Sequence, residues 1–233
     1  MANVNEQQGA LNVEETLNKS EAFFLKYKKA IIYGVLAVIV VIAGVIVYKQ
    51  YVSAPREDKA STALAKGQEY FQQDLYEKAL NGDGAGYAGF VKVASDYSST
   101  EAGNLANLYA GLCYAGLGKW NEAAKYLEEF DTKDDQMISP AAEGALGNAY
   151  AHLNQLDKAV ETLKKAAKMA DSEAEGNANN SLSPTFLIQA GEILESQNKK
   201  DDALQIYQDI KKKYVNSPIA TEIDKYIERA TLK

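Results

Sequence analysis

The sequence predicts an all-α protein: a single transmembrane helix, then a superhelix of about four antiparallel helix pairs, closed by a C-terminal capping helix. Three observations predict it. Residues 30–48, AIIYGVLAVIVVIAGVIVY, contain no charged side chain. Downstream, one spaced set of Gly, Tyr, apolar and Ala positions recurs along the chain. No segment alternates Val, Ile and Thr in the manner of a strand. Ala, Leu, Glu, Lys, Gln and Asn, all compatible with helices and their caps, dominate after Pro55.

At about 1.5 Å of rise per residue, the apolar run is long enough for the roughly 30 Å hydrocarbon core of a bilayer. Tyr33 near one end and Tyr48 and Tyr51 at the other suit the membrane interfaces. A buried core helix of this length would carry polar residues. A cleaved signal peptide would start nearer the terminus, be shorter and end in small residues. The run is followed instead by Lys49, Gln50 and Tyr51, and an uncleaved span is expected. No Cys lies near its end, which argues against lipoprotein processing. Lys26, Lys28 and Lys29 immediately precede the span, with Lys19 further back, whereas Arg56 and Lys59 after it are mixed with Glu57 and Asp58. That asymmetry predicts the N-terminus inside and the large C-terminal part outside.

Four segments follow: an inner tail at 1–29, the span at 30–48, a linker at 49–59 and a helical domain at 60–233. The first twelve residues are polar and are expected to be disordered. Asn12 with Glu15 reads as a capping box opening a helix, on which Leu17, Phe24 and Ile31 would share one face. The 185 residues after the span carry 21 Lys and Arg against 28 Asp and Glu, so the whole formal charge of −7 lies outside. Such a surface repels phosphate backbones, and nucleic acid is not an expected partner. Cys113 is alone, so no intrachain disulfide can form.

The repeats are read by aligning Tyr109–Phe130 with Ala145–Ala166, at an offset of 36. Gly111 and Gly147 are followed three residues on by Tyr114 and Tyr150, and nine on by Trp120 and Leu156. Ala123 and Ala159 come twelve after the Gly, Leu127 and Leu163 sixteen after. A third copy has Gly191, Leu194, Ala203 and Tyr207, with Lys200 at its turn. A degenerate first copy has Gly67, Tyr70, Tyr76 and Ala79, and an insertion at 81–86 breaks its register. The polar stretch DSEAEGNANNSLS is a second insertion. The pattern describes two antiparallel helices that cross closely at the small residues, and such pairs must stack to bury their apolar faces. Ser139, Ser183 and Ser217, each before a Pro, read as N-caps, as does Ser98 with Glu101. Ile219, Ile223, Tyr226, Ile227 and Ala230 lie on one face of the final segment, the expected cap.

These Gly, Tyr and Ala columns, with the turns GKWNEA and NQLDKA, resemble the tetratricopeptide repeat over residues 60–233. A short inner tail with Phe23-Phe24 and a basic flank, one span and then repeats is similar in layout to the YfgM-type ancillary subunits of the bacterial Sec translocon. That resemblance implies a single-pass inner-membrane protein with a cytoplasmic N-terminus and a periplasmic repeat domain. It implies a binding scaffold that assists protein translocation or chaperone-coupled envelope assembly. Its partners would be a translocon subunit, a periplasmic chaperone or an envelope-assembly protein. The two insertions depart from the pattern. The alternative is a self-associating structural component of an envelope complex, for which Ala30 and Gly34 form a small-xxx-small pair in the span.

The repeat's geometry implies a concave face that includes Leu105, Leu108, Leu112, Asn148, Ala151, His152, Thr185, Ile188 and Glu192. Asn148 is the only residue there suited to a carboxylate clamp, so a helix or extended peptide with apolar anchors is the expected ligand. Leu105 and Leu108 can equally be packing residues. No catalytic, metal or cofactor site is expected. His152 is the sole histidine, which excludes a His-based metal cluster or triad. Cys113 reads as a buried small hydrophobe. Residues 84–89 match GxGxxG without a preceding strand, and Asp83 alone does not make a calcium loop. Asp134 and Asp135 read as a solvated pair rather than a hydrolase dyad. Tyr87, Tyr97 and Tyr109 are candidate exposed contact residues.

Overall fold

The computed structural model describes residues 3–232, with side chains for Phe23 and for residues 25–232. The described part is helical and forms two compact units, Met1–Pro55 and Arg56–Lys233. In the first unit helix α1 runs Asn3–Tyr48, beginning upstream of Asn12. The side chains of Leu17 and Phe24, on which the inner amphipathic face rests, lie outside the described residues. From Ile32 to Tyr48 every residue is exposed. Among the described residues this is the one stretch long and apolar enough to cross a membrane.

The expected linker at 49–59 is helical. A π-helical turn, Lys49–Ser53, closes with the Ala54 N–H donating to the Lys49 carbonyl, and α2 follows at Ala54–Phe71. Pro55 explains the wider turn: its ring lacks an N–H and would collide with the carbonyl four residues earlier, so the backbone upstream of it opens out.

In the second unit the helix pairs are α2 with α3 (Tyr76–Asn81) and α4 (Phe90–Asp96), α5 (Glu101–Gly116) with α6 (Trp120–Glu128), α7 (Ile138–His152) with α8 (Leu156–Ser172), and α9 (Ser183–Ser196) with α10 (Lys200–Lys213). A 3₁₀ turn at Pro218–Thr221 leads into the capping helix α11 (Ile223–Thr231). Seven residues after each repeat glycine the backbone turns left-handed, at Asp74, Gly118, Asn154 and Asn198. Gly, Asn and Asp tolerate that conformation. In all four turns the next N–H reaches back five residues: Leu75 to Tyr70, Lys119 to Tyr114, Gln155 to Tyr150, Lys199 to Leu194. The degenerate first copy is therefore a full repeat at its turn.

The repeat columns meet across each pair. A Cβ built on Gly111 would lie 2.6 Å from Leu127 Cγ, and one on Gly147 2.8 Å from Leu163 Cγ; at Gly191 it would strike the Tyr207 ring. Those are the residues sixteen positions on, so Gly is fixed by close helix approach rather than by a turn. Ala123, Ala159 and Ala203, at the crossing, have no exposed surface.

Helix starts differ from the sequence reading in detail. Thr100, not Ser98, caps α5, its Oγ1 accepting from the Gly103 N–H at 2.9 Å. The Glu57 carboxylate of α2 accepts from the next two N–H groups, Glu101 and Ala102, each at 2.9 Å. Asp135 caps α7, accepting from Met137 N–H at 2.8 Å and from those of Ile138 and Ser139. Asn179 Oδ1 does the same before α9, accepting from Leu182 N–H at 2.9 Å. Ser139 and Ser183 sit in the first turn of their helices, wholly buried; Ser139 Oγ accepts from the Lys133 N–H of the preceding loop at 2.7 Å, and Ser183 Oγ lies 2.9 Å from the Ala167 carbonyl of α8. Ser217 precedes its 3₁₀ turn, but its hydroxyl donates to the Tyr214 carbonyl.

The first insertion interrupts the second helix of its pair, which resumes at Phe90. Tyr87, expected to be exposed, is buried, its hydroxyl donating to the Ala79 carbonyl at 2.8 Å. Tyr109 stacks on Phe90 with centroids 5.2 Å apart, and Tyr97 packs on the same cluster. The tyrosines fill the space that the short α3 and α4 leave. At the other end, Ile223 and Ala230 of α11 are buried, with Ile219, Tyr226 and Ile227 against the last core.

Candidate functional site

The first helix of each pair, α2, α5, α7 and α9, is the one expected to line a concave face. A shallow hollow of about 310 Å³ lies between α7 and α9 and is lined by Asn148, Ala151, Gln189, Glu192, Ile193 and Ser196. The structure thus brings together Asn148, Ala151 and Glu192 from the nine expected residues. Leu108 and Ile188 do not line it. They are buried, Leu108 among α6 and α7 side chains and Ile188 in the last core, because their positions face the neighbouring helix pair. Leu105 and Leu112 are half-buried and pack on the same middle core. Thr185 is exposed, and its hydroxyl donates to the Ser181 carbonyl at 3.2 Å. His152 is exposed at the end of α7, its ring parallel to Trp120 with centroids 3.7 Å apart.

Gln189, Ile193 and Ser196 were not among the expected residues. They recur with Glu192 at helical spacing, so the stripe was available in the sequence once Glu192 had been placed. The Oε1 atom of Gln189 is buried with no hydrogen-bond partner among the described residues. An unmatched buried amide costs free energy that a ligand N–H would recover. Asn148 adds a second amide, and Ala151 and Ile193 supply an apolar surface. No Lys or Arg lines the hollow, so it does not suit a terminal carboxylate. Glu192 brings a negative charge, with Arg229 Nη2 3.5 Å away; that guanidinium is held chiefly by Glu195 and Tyr207.

The other sequence candidates have structural work. Asp83 Oδ1 accepts from the Ala85 and Tyr87 N–H groups at 2.8 and 3.0 Å, and Oδ2 from the Tyr70 hydroxyl at 2.8 Å. These bonds, led by that from Ala85, hold its carboxyl at about 2. The glycine-rich loop therefore turns these amides onto its own carboxylate instead of offering them to a phosphate. Asp135 is occupied as the α7 cap. Cys113 has no exposed surface, and burial pushes its thiol up to about 12, far from thiolate chemistry at neutral pH. Among the described residues no group of three or more His, Cys, Asp or Glu is placed to hold a metal.

Comparison with known proteins follows the same lines. The family profile described as a tetratricopeptide repeat-like domain matches residues 21–220. No curated protein matches the chain. Among solved structures the chain is similar to the nearly identical TPR-like repeats of a Podospora anserina protein described as a kinesin light chain. The TM-score is 0.57 at 14% identity, over 75% of this chain and 86% of that one. A variant of the same protein gives the same score and identity, over 85% of its chain. At that identity the likeness speaks for the fold alone. The chain belongs to the tetratricopeptide repeat-like domain family.

Proposed function

We propose that this protein is a membrane-anchored scaffold whose repeat domain binds a polypeptide partner in the concave hollow between α7 and α9. The observation that carries the reading is the hollow itself: two side-chain amides, one with a buried oxygen lacking a partner, beside an apolar floor. Such a surface suits an extended or helical peptide segment with apolar anchors. Stacked helix pairs expose concave faces of this kind for binding rather than for catalysis.

The exposed apolar stretch of α1 supports anchoring, because so much uncovered Val and Ile requires a lipid or protein cover. The lysines before it support an inner N-terminus and an outer repeat domain. The layout similar to YfgM-type translocon subunits extends this to an inner-membrane protein with a periplasmic domain. Its partner is then a translocon subunit, a periplasmic chaperone or an envelope-assembly protein.

Ala151→Arg places a long cation in the hollow at a half-buried position. Affinity purification of the full chain in mild detergent should recover an envelope protein with the wild type and at least about tenfold less of it with the variant, at unchanged helicity. Equal recovery from both, or no envelope protein from either, counts against the reading.

A further inference from the structure

We propose, building on the peptide-binding role given above, that the residue a peptide partner seats in the hollow between α7 and α9 is basic, a Lys or an Arg.

The polar atoms of the hollow are mostly acceptors. The Ser196 hydroxyl gives its proton to the Ile193 carbonyl at 2.6 Å, so its oxygen is left to accept. Gln189 Oε1 is buried and receives no donor among the described residues. Glu192 is exposed, and its carboxylate accepts no hydrogen bond there. Its cation is Arg229, 3.5 Å away, and Arg229 is turned to Glu195: its Nε donates to both Glu195 oxygens, at 3.1 and 3.0 Å. Two carboxylates thus share one guanidinium, and a negative charge at the hollow stays uncompensated. The side-chain donors of the lining are the amides of Asn148 and Gln189, and both are neutral.

Three kinds of anchor can be compared against this lining. An acidic side chain would bring a further carboxylate against Glu192 and leave the acceptors unmatched. An aliphatic one would cover Ala151 and Ile193, but it would take water from Glu192 and Ser196 without supplying a donor, which costs free energy. A Lys or Arg meets both demands. Its methylene stem lies on Ala151 and Ile193, and its charged head brings several N–H donors to the acceptors and a positive charge to Glu192. Charge-assisted hydrogen bonds of that kind are the strong ones. Gln189, Glu192 and Ser196 share one face of α9, so the acceptors lie on one wall of the hollow, with Asn148 and Ala151 of α7 on the other.

The test pans a random peptide library, displayed on phage, against the full chain in detergent micelles. Wild type should enrich sequences that share one Lys or Arg beside apolar residues. Replacing that residue by Glu in a synthetic copy should weaken binding at least about tenfold. Glu192→Lys changes an exposed position and should no longer enrich the basic residue, which separates the hollow from the general acidity of the domain. Ala151→Arg should fail to enrich the wild-type sequences. Unchanged helicity shows that each variant is folded. Peptides that Ala151→Arg loses but that share no basic residue overturn the proposal and leave the peptide-binding role standing. So do peptides whose basic residue is enriched equally by Glu192→Lys. No enrichment by wild type, or enrichment that Ala151→Arg leaves unchanged, removes the role and the proposal together.

Discussion

Tyr207→Ala is expected to destabilise the repeat domain by about 4 kcal/mol, the size of effect that removing a fully buried aromatic ring produces. Tyr207 has no exposed surface and fills the crossing of α9 and α10 beside Gly191. Its ring also packs on Tyr226 of the capping helix, with centroids 5.4 Å apart. Its hydroxyl donates to Glu195 Oε2 at 2.9 Å, and Glu195 is in turn gripped by Arg229 of α11. Truncation therefore empties the last core and loosens the cap together. Tyr207→Phe keeps the ring and loses only the hydroxyl contact, so it should cost about 1–2 kcal/mol. Urea unfolding of the full chain in micelles, followed by helicity, distinguishes the two. Equal small losses would mean that the last pair is not packed as described.

Asp171→Ala should cost about 3 kcal/mol. This carboxylate is buried at the end of α8 and ties three later segments to it. The Tyr214 hydroxyl donates to it at 2.6 Å, the Asn179 N–H of the second insertion at 2.9 Å, and Lys213 makes an ion pair. Ser183 Oγ lies 2.7 Å from it and 2.9 Å from the Ala167 carbonyl, so the single hydroxyl proton keeps an acceptor when Asp171 is removed. Lys213 is half-exposed and returns to water. The loss therefore comes mainly from the Tyr214 hydroxyl and the Asn179 N–H, each orphaned at about 1–3 kcal/mol.

The same site sets a pH dependence. Burial alone would raise the pKa of Asp171, but the donors, led by Lys213 and then Tyr214 and Ser183, outweigh it and hold the carboxyl below its ordinary value. Its folded pKa is thus lower than its unfolded one. The stabilisation is complete above the unfolded value of about 4 and is lost as pH falls through the folded value. Wild type should lose stability more steeply than Asp171→Ala below about pH 4. Parallel curves would show that the carboxylate is not held as the geometry requires.

The parts legible in the sequence are those governed by one dominant force. The Gly columns and their partners sixteen residues on could be read because close helix packing admits only a few residue types there. Even Tyr207, which stands where the two clearest copies have Leu127 and Leu163, falls at the right spacing. The αL turn residues follow the same logic, and they identify the first repeat where the hydrophobic columns alone are weak. Helix caps were harder to read. Ser before Pro has the right composition, but Asp135, Thr100 and Asn179 reach the free N–H groups better, while Ser139 and Ser183 are drawn into the core. Leu108 and Ile188 are on the expected helices. Whether such a side chain faces the groove or the next pair depends on how the pairs rotate in the stack, which no local pattern records.

Photocrosslinking in living cells, from probes at Asn148, Glu192 and Ser196 of the full chain, tests the central claim most directly, with Lys125 on the exposed face of α6 as control. The account predicts that groove probes capture the same envelope protein and that the control does not, with capture reduced in Ala151→Arg. Groove probes that capture nothing while the control captures a partner would contradict it, and would move binding off the concave face.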